Sequence, residues 1–453
     1  MDSKRIHFIG IGGIGMSGIA GLFLKRGFKV SGSDLKESRA TAQLKKSGAD
    51  IFIGHDAKNI CGQDLVVYSS AIKPDNPEIE ECGRKNISLI KRAQALAQLM
   101  LDKTAITVAG SHGKTTTTSL VSHLLMEAGL GPTVAIGGIL KNIDTNACFG
   151  ESDLFVAEAD ESDGSFLCYQ PAYSIVTNID REHLDFYGTF ENELKAFGDF
   201  INKTSRAGVL FACYDDPCLR EIFLKYDGKR RSFGLNPAAD IRAEQISFDG
   251  LSSRFDCFML NKFVARFSLA LGGRHNVSNS LAVIGLGLEL GIDLKIIQKA
   301  LLTYQGALRR LEVKFQNKKY LLLDDYAHHP SEIKATLAAL RELKAKRKIG
   351  IFQPHRYSRT QLLLEDFAGS FDGLDILIIT DIYPASEAPI PGVDAELLLN
   401  KIKERFPRKN VAYLPKDEIA AYIKQIILPG DLVITLGAGD IVKVSDVLAQ
   451  SLN

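Results

Sequence analysis

The sequence has no surplus of either charge: 55 Lys and Arg face 54 Asp and Glu, a formal net charge of +1. Nucleic-acid-binding domains usually carry a basic excess, so this balance argues against a general polyanion binder and predicts no nucleic-acid partner. No apolar run approaches the roughly 18 residues that span a bilayer, and no basic segment followed by an apolar stretch opens the chain. The expectation is a cytoplasmic protein with no membrane partner and no export signal. No CxxC pair occurs among the seven cysteines, Cys61, Cys82, Cys148, Cys168, Cys213, Cys218 and Cys257. An odd, scattered set suits a reducing compartment and makes neither a disulfide framework nor a thiolate metal site, leaving the thiols as small buried hydrophobes. Low-complexity linkers and fixed-period repeats are absent too, which predicts compact, closely joined units.

What is present is the mix of a globular protein, 45% hydrophobic and 24% charged, in a chain of 453 residues. That length predicts two or three domains. Apolar β-prone runs alternate with helical patterns, the mark of a parallel α/β sheet. The first series has strands at Arg5–Ile9, Phe28–Ser33, Asp64–Tyr68 and Ser88–Ile90, with a helix over Met16–Leu24. A helix at Ala93–Leu101 leads into a second series, with strands at Ala105–Ala109, Asp153–Glu158 and Ser174–Ile179. Helices follow, one running to Met126 and one at Arg274–Leu290 that opens on residues suited to a cap. The third series has strands at Tyr320–Leu323, Lys348–Phe352, Leu374–Thr380, Asn410–Leu414 and Asp431–Leu436 and helices at Ser331–Leu343 and Thr360–Phe367. Boundaries fall at 1–90, 91–304 and 305–453.

Two glycine loops carry the first chemistry. Gly10, Gly12 and Gly15, with Gly13 between, satisfy GxGxxG after a strand and before a helix, where backbone N–H groups reach a diphosphate. Asp34 ends the next strand, placed to accept a ribose hydroxyl. The pattern leaves NAD, FAD and a UDP-sugar open. The second loop, Gly110-Ser111-His112-Gly113-Lys114-Thr115, departs from the P-loop GxxxxGK[ST] because Val108 stands where its first glycine would be. It keeps the N–H donors, a lysine for the β- and γ-phosphates and a threonine hydroxyl for Mg²⁺.

Further polar segments follow other strands. Glu158 opens the acidic run to Asp163 at a strand end, placed to share Mg²⁺ with Thr115. Asn178–Asp185 repeats the placement, with His183. Six of the nine histidines, His112, His183, His275, His328, His329 and His355, lie in such segments. Asn276 and Asn279, three apart, share one side of a helix start and suit either an adenine edge or helix capping. Arg356 and Arg359 in a turn after a strand suit forked recognition of a carboxylate or phosphate. Arg309 and Arg310 could reach phosphates, and Gly437–Asp440 forms another turn, for amide donation or for tight packing.

Taken in order, Gly10–Gly18, Gly110–Thr115, Glu158–Asp163, Asn178–Asp185, His275–Asn279, Asp325–Pro330 and Phe352–Thr360 resemble the Mur ligases, ATP-dependent amide ligases of peptidoglycan synthesis. Gly12–Met16 and Phe352–Thr360 are similar to the branch that adds L-alanine, rather than the related one that attaches a recycled peptide. The resemblance covers essentially the whole chain. It implies an α/β protein of three-domain Mur ligase architecture, with a Rossmann-like N-terminal domain, a P-loop-type ATPase central domain and a Rossmann-like C-terminal domain. Ser111 stands where the family loop often has threonine, and no lysine lies between Glu158 and His183 to be carbamylated as in some relatives.

The resemblance also implies the reaction: the carboxylate of UDP-N-acetylmuramate attacks ATP, and the amine of L-alanine displaces phosphate from the acyl phosphate, supplying cell-wall precursor for growth and division. It gives Lys114, Glu158, His183, Arg310 and His328 catalytic roles. Gly110, Ser111, His112, Gly113, Lys114, Thr115, Thr116, Asn276, Asn279 and Asp325 would bind ATP, with Asp325 on the ribose. Gly10, Gly12, Gly13, Gly15, Asp34, Ser69 and Ser70 would bind the UDP-sugar, and Tyr326, Arg356 and Arg359 the amino acid. Thr115, Glu158 and His183 would hold two Mg²⁺, or Mn²⁺. The partners are then small molecules, and the chain a monomer or homodimer. An NAD-dependent oxidoreductase leaves the second glycine loop and Glu158 unexplained; a P-loop switch leaves the third series unexplained.

Overall fold

The computed structural model describes residues 4–69, 71–385 and 387–452. Three sheets account for its strands. The first is parallel, in the order Asp50–Ile53, Lys29–Asp34, Arg5–Ile9, Leu65–Tyr68, Ser88–Lys91. That outward order from the first strand is the doubly wound arrangement, and it puts the Gly10 loop at the carboxyl edge, where such sheets collect ligands. Ser70 lies outside the described residues.

The second sheet has ten strands, with Thr104–Ala109 flanked by Tyr173–Val176 and Leu154–Glu158 in parallel register. Three strands at one edge, Ile241–Asp249, Ser252–Met259 and Lys262–Leu269, and the hairpin Thr133–Leu140 with Thr145–Cys148, are additions to the expected series. The helix Lys114–Glu127 beside this sheet is buried along most of its length although its first turns are Thr and Ser. The helix supplies acceptors to some of those hydroxyls, Thr118 donating to the Lys114 carbonyl at 2.8 Å and Ser122 to Thr118 at 2.7 Å, while Thr117 Oγ1 and Ser119 Oγ are buried without a hydrogen-bond partner.

The third sheet has six strands, of which Glu312–Gln316 runs antiparallel to Leu321–Asp325 and the rest pair in parallel. Alternation along its strands fills two separate cores. Leu432, Ile434 and Leu436 enter one with Phe352, Ile333 and Leu337; Val433 enters the other with Ile349, Ile351 and Ile419. Each such side chain contributes roughly 1.5–3 kcal/mol of burial. The expected helix at Ser331–Leu343 is Pro330–Arg341, with proline at its first position and the Glu332 carboxylate accepting the His328 N–H at 3.0 Å. The helix expected at Thr360–Phe367 is instead two short ones, Tyr357–Leu362 and Leu364–Ala368, because Leu363 leaves helical geometry at φ −109°.

By contact density the chain divides into two compact units. One holds Met1–Gln245, Phe255–Ser268 and Ser278–Gln305, the other Ile246–Arg254, Leu269–Val277 and Gly306–Asn453. No helix among the described residues is long and apolar enough to cross a membrane.

Candidate functional site

In the first unit the glycine loop 110–115 leaves its strand and turns into a helix at Gly113, whose φ of +83° is costly for any residue with a side chain. Asn279 lies over that turn: a methyl at Gly113 would come within 2.9 Å of its Nδ2. The segment after Val176 braces the loop from the other side. Asn178 Oδ1 accepts the His112 N–H at 2.8 Å, the Asp180 N–H donates to Ser111 Oγ at 2.8 Å, and His112 Nε2 lies 2.9 Å from Asp180 Oδ2. Thr116, one residue into the helix, is buried.

Lys114 folds back onto the loop. Its Nζ donates to the carbonyls of Gly110 at 2.6 Å and Ser111 at 3.1 Å, and to Glu161 Oε1 at 2.8 Å. Burial alone would pull the Lys114 pKa down, but Glu161, Asp160 and Glu158 outweigh it and hold the ammonium charged. For Glu161 the balance goes the other way, and burial raises its pKa against the pull of Lys114. Its Oε2 is buried without a hydrogen-bond partner.

Glu158 stands at the end of Leu154–Glu158 and accepts the Thr115 hydroxyl at 3.2 Å and the Gly137 N–H at 2.9 Å. Thr115 and Glu158 are thus brought together as the sequence reading places them. His183 is not paired with Glu158 here: its Nε2 lies 3.4 Å from Glu182 and 3.7 Å from Glu161. Ligand atoms of Glu161, Glu182 and His183 all fall within 4.8 Å of one another. Burial lowers the His183 pKa, but the hydrogen bond and charge of Glu182, with Glu161, raise it overall. Two carboxylates missed in the sequence thus complete a hard-donor set; both lie in segments already read as strand-end loops, Glu161 in the acidic run and Glu182 beside His183. Glu193 nearby is fully buried, and its pKa is pushed up to about 8 by burial, with Glu161 and Glu182 adding to the shift and His183 opposing it.

The Gly10 loop hangs on the second strand: the N–H groups of Gly10 and Ile11 donate to Ser33, and that of Gly12 donates to Asp34 Oδ2 at 2.8 Å. One oxygen of the carboxylate expected on a ribose therefore holds the loop itself. Gly13 caps the helix Ile14–Lys25, followed by Gly15 in its first turn, and Ser69 lies beside Gly10.

In the second unit several expectations change. Asn276 does not cap its helix; its amide donates to the Gly272 carbonyl at 2.7 Å. Asp325 is buried, and its oxygens accept the N–H groups of Leu311 at 2.7 Å and Ala327 at 2.8 Å and the Thr336 hydroxyl at 3.3 Å. Burial pushes its pKa up to about 6 against the pull of Arg310. It braces loops rather than presenting a free carboxylate to a ribose. Arg309 is likewise consumed, by Asp324 at 3.0 Å and by the carbonyls of Gly437–Gly439. Arg310 lies over the Tyr326 ring, 5.3 Å from its centroid, and 3.5 Å from Glu332.

The expected amino-acid residues do gather. His328 packs edge-on to both Tyr326 and His355, and His355 stacks on Tyr383. Burial, with His328 and the nearby arginines, pushes the His355 pKa down to about 3. Neutral His355 can accept from Arg359, whose Nη1 is 3.2 Å from its Nδ1. Arg356 sits at φ +71°, and its Nε makes no hydrogen bond, its nearest carboxylate, Glu387, lying 3.9 Å away. An arginine held with an orphaned donor has the chemistry to take a carboxylate.

The chain matches three family models in order: the Mur ligase family catalytic domain over residues 5–104, the Mur ligase middle domain over 108–287, and the Mur ligase glutamate ligase domain over 309–439. It is 46% identical over 451 residues to the UDP-N-acetylmuramate–L-alanine ligase of Aquifex aeolicus, covering 99% of this chain and 98% of the relative. The crystal structure of the UDP-N-acetylmuramate–alanine ligase of Thermotoga maritima superposes with a TM-score of 0.84 at 29% identity, over 99% of each chain. A murein peptide ligase from Psychrobacter arcticus shares the fold, with a TM-score of 0.72 at 24% identity and 99% coverage of each chain.

Proposed function

Because the chain belongs to the Mur ligase family, we propose that it joins L-alanine to the carboxylate of UDP-N-acetylmuramate, converting ATP to ADP and phosphate, in peptidoglycan precursor synthesis. Full-length likeness to ligases of that name carries this reading. The sugar carboxylate attacks the γ-phosphorus, ADP departs, and the amine of alanine displaces phosphate through a tetrahedral intermediate. Both steps concentrate negative charge, so positive groups must be fixed in advance.

Lys114 exchanges its loop carbonyls and Glu161 for the β- and γ-phosphates. The loop N–H groups hold the phosphate oxygens, and Asn279, which lies over Gly113, would read the base of the nucleotide. The oxygens of Thr115 and Glu158 fit one Mg²⁺. Glu161, Glu182 and His183, with the orphaned Glu161 oxygen, fit a second, and Mn²⁺ suits the same donors. When bound, the ions supply charge neutralisation between phosphate and acyl oxygens. The resemblance assigns Arg310 to the transferred phosphoryl group, Arg356 and Arg359 to the alanine carboxylate, and Tyr326 and His328 to the walls of its pocket. The Gly10 loop and Ser69 receive the UDP moiety. The partners are these small molecules, and the ATP demand and free thiols fit the cytoplasm.

The test is a substrate panel. Purified protein with ATP, Mg²⁺ and UDP-N-acetylmuramate is offered alanine, glycine, serine or a peptide. Phosphate release and a product heavier by one alanyl residue are expected with alanine. Turnover with the peptide alone would favour the recycling branch, and no ADP under any condition would end the ligase reading.

A further inference from the structure

Arg310 and His328 lie on different loops of the second unit, one ahead of the strand Glu312–Gln316 and the other ahead of the helix Pro330–Arg341. The single carboxylate of Glu332 reaches both. Its Oε2 accepts the N–H groups of His328 at 3.0 Å and His329 at 3.3 Å and lies 3.1 Å from His328 Nδ1. Its Oε1 lies 3.5 Å from Arg310 Nη1. A glutamate at the third position of a helix closes a capping box with the one N–H of the cap residue, here His329. The contacts with Arg310 and with the His328 ring go beyond that need, and only 11% of the Glu332 side chain meets solvent.

Each contact fixes something that chemistry at these residues requires. Both groups beside His328 Nδ1, Glu332 Oε2 and the Tyr326 carbonyl at 3.0 Å, are acceptors. Nδ1 therefore carries a proton, and in the neutral ring Nε2 keeps the lone pair. Arg310 is held between Glu332 and the Tyr326 ring, whose centroid is 5.3 Å from the guanidinium carbon. A guanidinium recognises an oxyanion through its plane, so a fixed plane is a fixed recognition site. The backbone on either side of Arg310 is strained, with Arg309 at φ +61° and Leu311 at φ +46°. Such conformations persist only where the surroundings over-determine them.

We infer that Glu332 is a positioning residue of the ligase reaction: one carboxylate holds His328 as the Nδ1–H tautomer and Arg310 in its plane on Tyr326, so that both act from a common frame. The inference rests on the ligase reading above and deepens it. In this role Glu332 touches no reactant and acts through the two side chains it holds.

Glu332→Gln separates the contacts. Its amide oxygen can still accept the two backbone N–H groups, which turns the amide nitrogen toward Arg310. With ATP, Mg²⁺, UDP-N-acetylmuramate and alanine, kcat is expected to fall roughly ten- to a hundredfold, the cost of a displaced functional group, while the KM for ATP stays within about twofold and the melting temperature holds. In an Arg310→Ala background the same substitution should change the residual kcat by no more than about twofold, because the residue it acts through is gone. Long-range proton–nitrogen NMR of the wild type should show neutral His328 protonated at Nδ1. A folded Glu332→Gln with wild-type kcat, an equal loss in both backgrounds, or a His328 ring protonated at Nε2 alone overturns the assignment and leaves the ligase reading standing. A drop in melting temperature that accounts for the lost activity would make Glu332 a helix cap only, and overturns it too. Should the wild type release no phosphate from the full substrate set, the ligase reading fails and the assignment falls with it.

Discussion

The ammonium of Lys114 and the carboxylate of Glu161 meet at 2.8 Å with both side chains withdrawn from water. In a low-dielectric setting an anion keeps a lysine charged and in place, and phosphate oxygens can later take over that anion's role. Glu161→Gln leaves the ammonium with only two carbonyls. The variant should be less stable by about 3–5 kcal/mol without nucleotide, and ATP without added metal should raise its melting temperature more than it raises that of wild type. Thermal unfolding with and without ATP checks both; equal shifts would mean that the lysine does not exchange Glu161 for phosphate.

Gly137 donates its N–H to Glu158, and a methyl there would stand 2.5 Å from Oε1 of the same carboxylate. Gly137→Ala therefore pushes Glu158 away from Thr115 while leaving both residues unsubstituted. Displacing a reacting group by about an ångström costs roughly a hundredfold in rate. The expected result is a kcat lowered by about that factor at unchanged KM for alanine, with a near-normal melting curve. Steady-state kinetics decide it, since a mere packing defect would lower stability first.

His183 lies beside Glu182 and Glu161 rather than beside Glu158, so its loss should leave the Thr115–Glu158 pair intact. His183→Ala is expected to raise the Mg²⁺ concentration for half-maximal activity by roughly tenfold or more, the scale at which a lost metal contact is felt, with little change in ATP binding. A Mg²⁺ titration matching wild type would remove His183 from the metal set.

The contrast between these residues and those the sequence misplaced is physical. Lys114, Thr115, Glu158 and His183 lie in or just after short loops at strand ends, and the strand–glycine–helix pattern fixes such positions by itself. Asp325 and Arg309 also lie at or next to strand ends, but their side chains are spent on backbone groups, Asp325 on Leu311 and Ala327 and Arg309 on the Gly437–Gly439 turn, and nothing local distinguishes a carboxylate facing inward from one facing a ligand. The antiparallel strands over 241–269 escaped notice because they are half-buried and mixed in polarity. Of their turns only Asp249-Gly250 carries a hairpin signal; Leu260 and Asn261 adopt positive φ without one. The polar core of the first sheet has no signature in the sequence either, since its members come from four separate stretches of chain.

That polar core yields a prediction at low pH. Glu78 is fully buried; its Oε2 accepts the Ser33 hydroxyl at 2.6 Å and lies 3.0 Å from His55, while Oε1 accepts Asn59 at 2.7 Å and lies 3.5 Å from His7. Burial alone would raise the Glu78 pKa, but the hydrogen bonds from His7, Ser33 and Asn59, with attraction to His7, bring it down to about 2 from an ordinary 4.5. A depressed acid adds stability that is complete above the unfolded pKa and is lost as pH falls through the folded one. The relevant window is therefore pH 4.5 down to about 2, and the contribution is about 3 kcal/mol. Glu78→Gln cannot ionise, so the stability gap between wild type and variant should be widest at pH 5–7 and close by about that amount as pH approaches 2. Urea unfolding of both proteins at pH 7, 5, 4 and 3 measures the gap directly, and other carboxylates cancel in the difference. A gap that stays constant across the series would mean that the Glu78 carboxylate is not held ionised by its neighbours.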